Sequence, residues 1–146
     1  MLYAAYGSNL NVFQMQHRCP DAEIVTKGFL DGYRLMFKGS KTGSYLTVER
    51  EAGCKVPIGI WRVSDRDLHR LDMYEGYPNF YYRKQILVPC EDGRRHRALI
   101  YIMHEDHQLG MPDQYYINTC EQGYKDFGFD QQYLLDAVQY TIGGAA

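Results

Sequence analysis

The chain has 146 residues, 45% of them hydrophobic and 23% charged, which is the composition of a globular protein with one core and excludes a disordered chain. With 16 Lys and Arg against 18 Asp and Glu the net charge is −2, which excludes a protein that binds nucleic acid by neutralising phosphates.

In chain order, residues 2–6 are apolar enough for a short buried strand, and Gly7-Ser8-Asn9 interrupts it. Asn11 is placed to cap a helix through Val12, Met15 and Gln16, which Cys19-Pro20 ends. Residues 23–30 and 33–38 read as two strands with a bend between them. Residues 39–44 read as a flexible loop, 45–50 as a strand, 51–53 as a turn and 55–63 as a strong strand around Ile58-Gly59-Ile60-Trp61. Ser64, with Asp67 three residues on, starts a helix whose inward face carries Leu68 and Leu71. Residues 81–90 and 97–103 read as strands joined by the turn Glu91-Asp92-Gly93. Two helices follow, over 113–127 with Gly128 as the stop, and over 131–139. Residues 143–146 read as a disordered tail, so a single domain is expected over 1–142. Strands and helices do not alternate, and short turns join successive strands. The class is therefore α+β with a mixed, curled, largely antiparallel sheet, not a doubly wound parallel one.

No apolar run approaches the roughly 20 residues that span a bilayer. The start Met1-Leu2-Tyr3-Ala4-Ala5 lacks the basic region of a signal peptide. A cytoplasmic protein with no membrane or nucleic-acid partner is expected. Cys19, Cys54, Cys90 and Cys120 form no C-x-x-C pair and no zinc spacing, so they are read as reduced and structural.

Two segments carry candidate chemistry. Tyr6-Gly7-Ser8-Asn9-Leu10 leaves a strand toward a helix and offers consecutive backbone N–H groups, a size suited to a carboxylate. It has neither the length nor the lysine of a phosphate-binding P-loop. Further along, Leu71-Asp72-Met73-Tyr74-Glu75-Gly76-Tyr77-Pro78 places a glutamate among Tyr74, Tyr77, Tyr81 and Tyr82. Tyrosine is over-represented, at 14 of 146 residues, and rings that exclude water favour the neutral carboxylic acid. Glu75 is therefore a candidate general acid/base. His104-Glu105-Asp106-His107 is one residue short of a metalloprotease motif and reads as a polar loop. Arg94-Arg95-His96-Arg97 reads as a solvated face.

These residues together resemble the γ-glutamylcyclotransferase-like (AIG2-like, γ-glutamylamine cyclotransferase-like) family. The resemblance runs from Tyr6-Gly7-Ser8-Asn9-Leu10 through Arg18-Cys19-Pro20, Gly28, Gly32-Tyr33, Gly59 with Trp61 and the segment 71–78. It continues through Tyr81-Tyr82-Arg83 to Pro112, Tyr116, Gly123, Gly128 and Leu134-Leu135. It implies a small mixed, mostly antiparallel β-barrel flanked by helices. It implies cyclisation of a γ-glutamyl compound to 5-oxoproline with release of an amine or amino acid. Glu75 is then the catalytic acid/base, and Tyr6, Gly7, Ser8, Asn9, Leu10, Tyr82 and Tyr116 are the substrate-binding residues. Tyr81 and Tyr82 are strand neighbours on opposite faces, so one of the two belongs to the site. No cofactor and no metal are implied, the partner is a small-molecule γ-glutamyl substrate, and the chain acts as a monomer or homodimer. One departure from the family pattern is Pro112-Asp113, where members commonly have Pro-Ser. A competing reading is a non-catalytic small-molecule binding protein on the same scaffold.

Overall fold

Two long strands, β2 (Glu23–Ser40) and β3 (Gly43–Arg62), pair antiparallel almost end to end and dominate the sheet. The computed structural model describes residues 1–40 and 42–145. The remaining strands are β1 (Leu2–Ala5), β4 (Tyr81–Pro89), β5 (Arg95–Met103) and β6 (Gln108–Leu109). The helices are α1 (Val12–Arg18), α2 (Asp65–Glu75), α3 (Gln114–Phe127) and α4 (Gln132–Ala145), and Ser8–Leu10 form a 3-10 turn. The strand order is β4-β5-β1-β3-β2-β6, antiparallel except where β1 lies parallel to β5. The class is α+β, as expected.

The breaks expected near residue 32 and at 51–53 are not loops. Both strands bend there together: pairing passes from Asp31↔Lys55 to Tyr33↔Arg50, with Gly32 and Gly53 at φ 77° and 84°. Four residues of β3 oppose one of β2, so the ladder kinks without stopping. Four expected strands thereby merge into two. The flexible loop expected over 39–44 is shorter than predicted, because pairing continues to Ser40↔Gly43; Lys41 lies outside the described residues. The short β6, paired with Lys38 and Gly39, was not expected.

The bend lets the sheet curl until Gly28 of β2 bridges Cys90 just beyond β4. A Cβ at Gly28 would sit 2.2 Å from the Pro89 carbonyl oxygen, so this closure requires glycine. On the resulting half-barrel Ile58, Ile60, Trp61, Ile100 and Ile102 are all fully buried, Trp61 on the face that packs against Phe127 of α3. Each contributes about 1.5–3 kcal/mol by leaving water.

The helices flank this sheet and their ends follow the sequence signals. Asn11 accepts from the Gln14 N–H at the start of α1. Ser64 and Asp67 form a reciprocal capping box at α2, and Asp113 accepts from the Tyr116 N–H at α3. Residues 143–145, expected to be disordered, are helical and complete α4. Gly144 lies against Leu109, where a Cβ would meet Cδ1 at 2.3 Å, so the bare backbone lets the helix end pack on β6. Ala146 lies outside the described residues. No helix among the described residues is long and apolar enough to cross a membrane.

Candidate active site

The end of β1, the 3-10 turn, the C-terminus of α2 and the start of α3 converge on a cavity of about 360 Å³. That volume suits a small organic ligand. Tyr6, Gly7, Ser8, Asn9, Glu75 and Tyr116 all line it, although they lie up to 110 positions apart in the chain.

The floor is the turn. Its Leu10 and Asn11 N–H groups bond to the Gly7 and Ser8 carbonyls at 3.0 Å each. The amides of Gly7, Ser8 and Asn9 have no such partner among the described residues. The Trp61 indole N–H donates to the Asn9 carbonyl at 3.1 Å, tying the floor to the core. Leu10, expected among the substrate-binding residues, does not line the cavity. Its side chain is fully buried beneath the turn and its N–H is already engaged.

Glu75 ends α2. Gly76 follows at φ 65°, ψ 38°, a left-handed conformation that lets the chain leave the helix and keeps bulk away from the carboxylate. The Glu75 side chain is half-buried and lines the cavity. Burial pushes its pKa up to about 8, against a smaller downward pull from Arg18. Its place at a helix C-terminus acts in the same direction as burial, because the carbonyl end of the helix disfavours a negative charge.

The aromatic shell differs in membership from the one expected. Tyr3, Tyr6, Tyr45, Tyr74, Tyr81, Tyr101 and Tyr116 line the cavity, so half of the chain's 14 tyrosines serve one site. Tyr77 instead packs under the Arg83 guanidinium at 4.0 Å. Tyr82 is corrected: it turns outward, donating to Glu105 Oε2 at 2.6 Å, and Tyr81 takes the inward position, 5% exposed. Burial raises Tyr3, Tyr6, Tyr81 and Tyr116 well above the usual phenol range, and the nearby Glu75 charge adds to this. They are therefore neutral hydroxyls at neutral pH.

Hydrogen bonding assigns these hydroxyls different roles. Tyr6 donates to the Tyr101 carbonyl at 2.7 Å and Tyr81 to the Leu46 carbonyl at 2.8 Å, so both oxygens remain as acceptors. Tyr116 accepts from the Leu46 N–H at 3.1 Å and keeps its own proton for donation. Ser8 Oγ and Tyr74 Oη lie 2.9 Å apart. The far side of the cavity is formed by Ser40, Thr42 and His107. His107 carried no sequence signal beyond its place in a polar loop. Its neighbour His104 is engaged with the Pro78 carbonyl at 2.8 Å. Burial raises the Cys19 and Cys120 thiols to about 12, which leaves them protonated and unsuited to nucleophilic attack.

The arrangement pairs a carboxyl group of raised pKa with three backbone amides that have no partner among the described residues and with a ring of neutral hydroxyls. A family model described as Gamma-glutamyl cyclotransferase, AIG2-like matches residues 3–120. The chain is 27% identical over 140 residues to a gamma-glutamylcyclotransferase of Homo sapiens, covering 90% of this chain and 74% of that protein. It is 28% identical over 140 residues to one of Bos taurus, with the same coverage of 90% and 74%. A solved structure named Gamma-glutamyl cyclotransferase superposes with a TM-score of 0.84 at 25% identity, covering 94% of this chain and 85% of that one.

Proposed function

Because the chain belongs to the gamma-glutamyl cyclotransferase, AIG2-like family, we propose that it cyclises a γ-glutamyl compound to 5-oxoproline and releases an amine, with Glu75 carrying the protons. The observation that supports this most is that Glu75, its pKa raised to about 8, shares one cavity with Gly7, Ser8 and Asn9, whose amides have no partner among the described residues.

The substrate's α-carboxylate sits on those amides, which fixes the α-nitrogen relative to the γ-carbonyl carbon. Holding two reacting groups of one molecule in this way contributes on the order of 7–11 kcal/mol in model reactions. The arriving ammonium is an opposite charge beside Glu75 and favours its ionised form. Glu75 then accepts a proton from the ammonium. The freed lone pair forms the ring C–N bond at the γ-carbon. The protonated carboxyl hands its proton to the leaving nitrogen as the old C–N bond breaks. Two protons leave the α-nitrogen and two reach the departing amine, and the one carboxyl moves them in turn. A carboxyl whose pKa is raised to about 8 lies far closer to an amino group in basicity than an ordinary carboxyl does, so the transfer is less uphill. The Tyr6 and Tyr81 oxygens are acceptors for the ammonium, and the ring of aromatic side chains limits water, which favours cyclisation over hydrolysis.

The test is product detection with γ-glutamyl dipeptides, γ-glutamyl-lysine and glutathione. 5-Oxoproline from at least one substrate is expected. Ligand binding with no product from any of them would point to a non-catalytic binding protein instead.

A further inference from the structure

Arg18 is not part of the cavity wall, yet it is tied to the wall's chemistry. It ends α1 half-buried, with its guanidinium carbon 3.5 Å from the Tyr74 ring centroid. One of its N–H groups donates to Asn9 Oδ1. A guanidinium has only donors, so the end of the Asn9 amide that faces it must be the oxygen. The nitrogen end is then turned inward. It donates to Tyr3 Oη at 2.9 Å and lies at the long distance of 3.5 Å from Glu75 Oε1. Asn9 is only 2% exposed, so a flipped amide would set its carbonyl against the carboxyl group with little water between them.

We propose that Arg18 is a positioning residue for the cyclisation: it fixes the Asn9 amide so that its nitrogen, and not its oxygen, faces Glu75. The inference rests on reading Glu75 as the proton carrier. A donor beside the carboxyl group stabilises the carboxylate, the form that accepts the substrate's proton. An acceptor in the same place would hold the carboxyl group protonated and idle. The Arg18 charge acts in the same direction, pulling the Glu75 pKa down against burial. The other groups that line the cavity with the carboxyl group are Tyr3 from β1, Tyr6 just after β1, Tyr74 from α2, Tyr81 from β4, Tyr101 from β5 and Tyr116 from α3, with His107 on the same cavity wall. Those tyrosines are all raised by burial and stay neutral near pH 8, so they do not offset the arginine.

The decisive experiment is titration of the Glu75 carboxyl by NMR of 13C-labelled glutamate, with the signal assigned by its loss in Glu75→Gln. Wild type, Arg18→Met, Asn9→Leu and the double variant are compared in one cycle. Arg18→Met is expected to move the midpoint up by about one pH unit, and the acidic limb of kcat/KM with it. Arg18→Lys, which keeps a charge and a donor, should restore most of the difference. In the Asn9→Leu background the Arg18→Met shift should fall to less than about half. An equal shift in both backgrounds would mean that Arg18 acts by its field alone, and no shift would mean that it does not act on Glu75; either result overturns the proposal. If Arg18→Met does not fold, Arg18→Gln is measured in its place. Titration needs no turnover, so the expected shifts in a protein that forms no 5-oxoproline would reject the cyclisation and leave the role of Arg18 in place.

Discussion

Replacing Glu75 with glutamine should stabilise the protein, and by an amount that depends on pH. Glutamine has the shape of the neutral acid, so it fits the cavity without a charge. In the unfolded chain Glu75 titrates near its ordinary 4.5, and in the fold at about 8. Below pH 4.5 the acid is neutral in both states and the two proteins should be equally stable. Between 4.5 and 8 the unfolded state ionises while the folded state does not, so wild-type stability falls as pH rises and levels off above 8. At 1.36 kcal/mol per tenfold change, this span corresponds to ~5 kcal/mol. Water in the cavity relieves part of the penalty, so roughly 2–4 kcal/mol is expected above pH 8. The assay is urea unfolding at pH 4, 6, 7 and 9, followed by the fluorescence of Trp61, the chain's one tryptophan and fully buried. Wild type and variant losing stability in parallel across this range would refute the raised pKa.

Tyr81→Phe removes the donor to the buried Leu46 carbonyl and should cost about 1–3 kcal/mol in urea unfolding and raise KM; Tyr82→Phe removes an outward bond to Glu105 and should leave KM within about twofold. Gly76→Ala places a Cβ on a residue at φ 65° and 3.2 Å from Phe80 Cβ, so a loss of about 1–2 kcal/mol, read as a lower melting temperature, is expected together with lower kcat. Gly7→Val builds its side chain from a Cβ that would sit 3.3 Å from the Tyr116 hydroxyl, and should raise KM at least about tenfold while the far-UV circular dichroism is unchanged.

Much of this site was written in local signals. Asn11, Ser64 with Asp67, and Asp113 mark helix starts by side-chain chemistry that needs no partner from elsewhere in the chain. Gly76 and Gly128 mark helix ends by a backbone conformation that other residues resist. The resemblance brought Glu75 and the 6–10 segment together, and the fold places Glu75 in one cavity with residues 6–9 of it. What was not legible depends on pairing. Gly32 and residues 51–53 look like turns in isolation, and only the partner strand, bending at the same place, makes them a kink in a continuous hairpin. The choice between Tyr81 and Tyr82 follows from the register of β4 on β5, Tyr81↔Met103, and the buried positions along β4 change parity between Tyr81 and Ile86. Tyr3 and Tyr101 become walls only because β1 lies against β5, a contact spanning most of the chain. Arg18 reaches the site through an asparagine amide, a relation that spacing does not encode.

The central claim is tested most directly by single-turnover kinetics of Glu75→Gln with a γ-glutamyl substrate that the wild type converts. The account predicts that substrate still binds, with weaker affinity for want of the carboxylate beside its ammonium, and that 5-oxoproline formation at saturating substrate is slowed at least about a thousandfold, since an amide cannot carry a proton between the two nitrogens. Formation of 5-oxoproline at a rate near that of the wild type would contradict it.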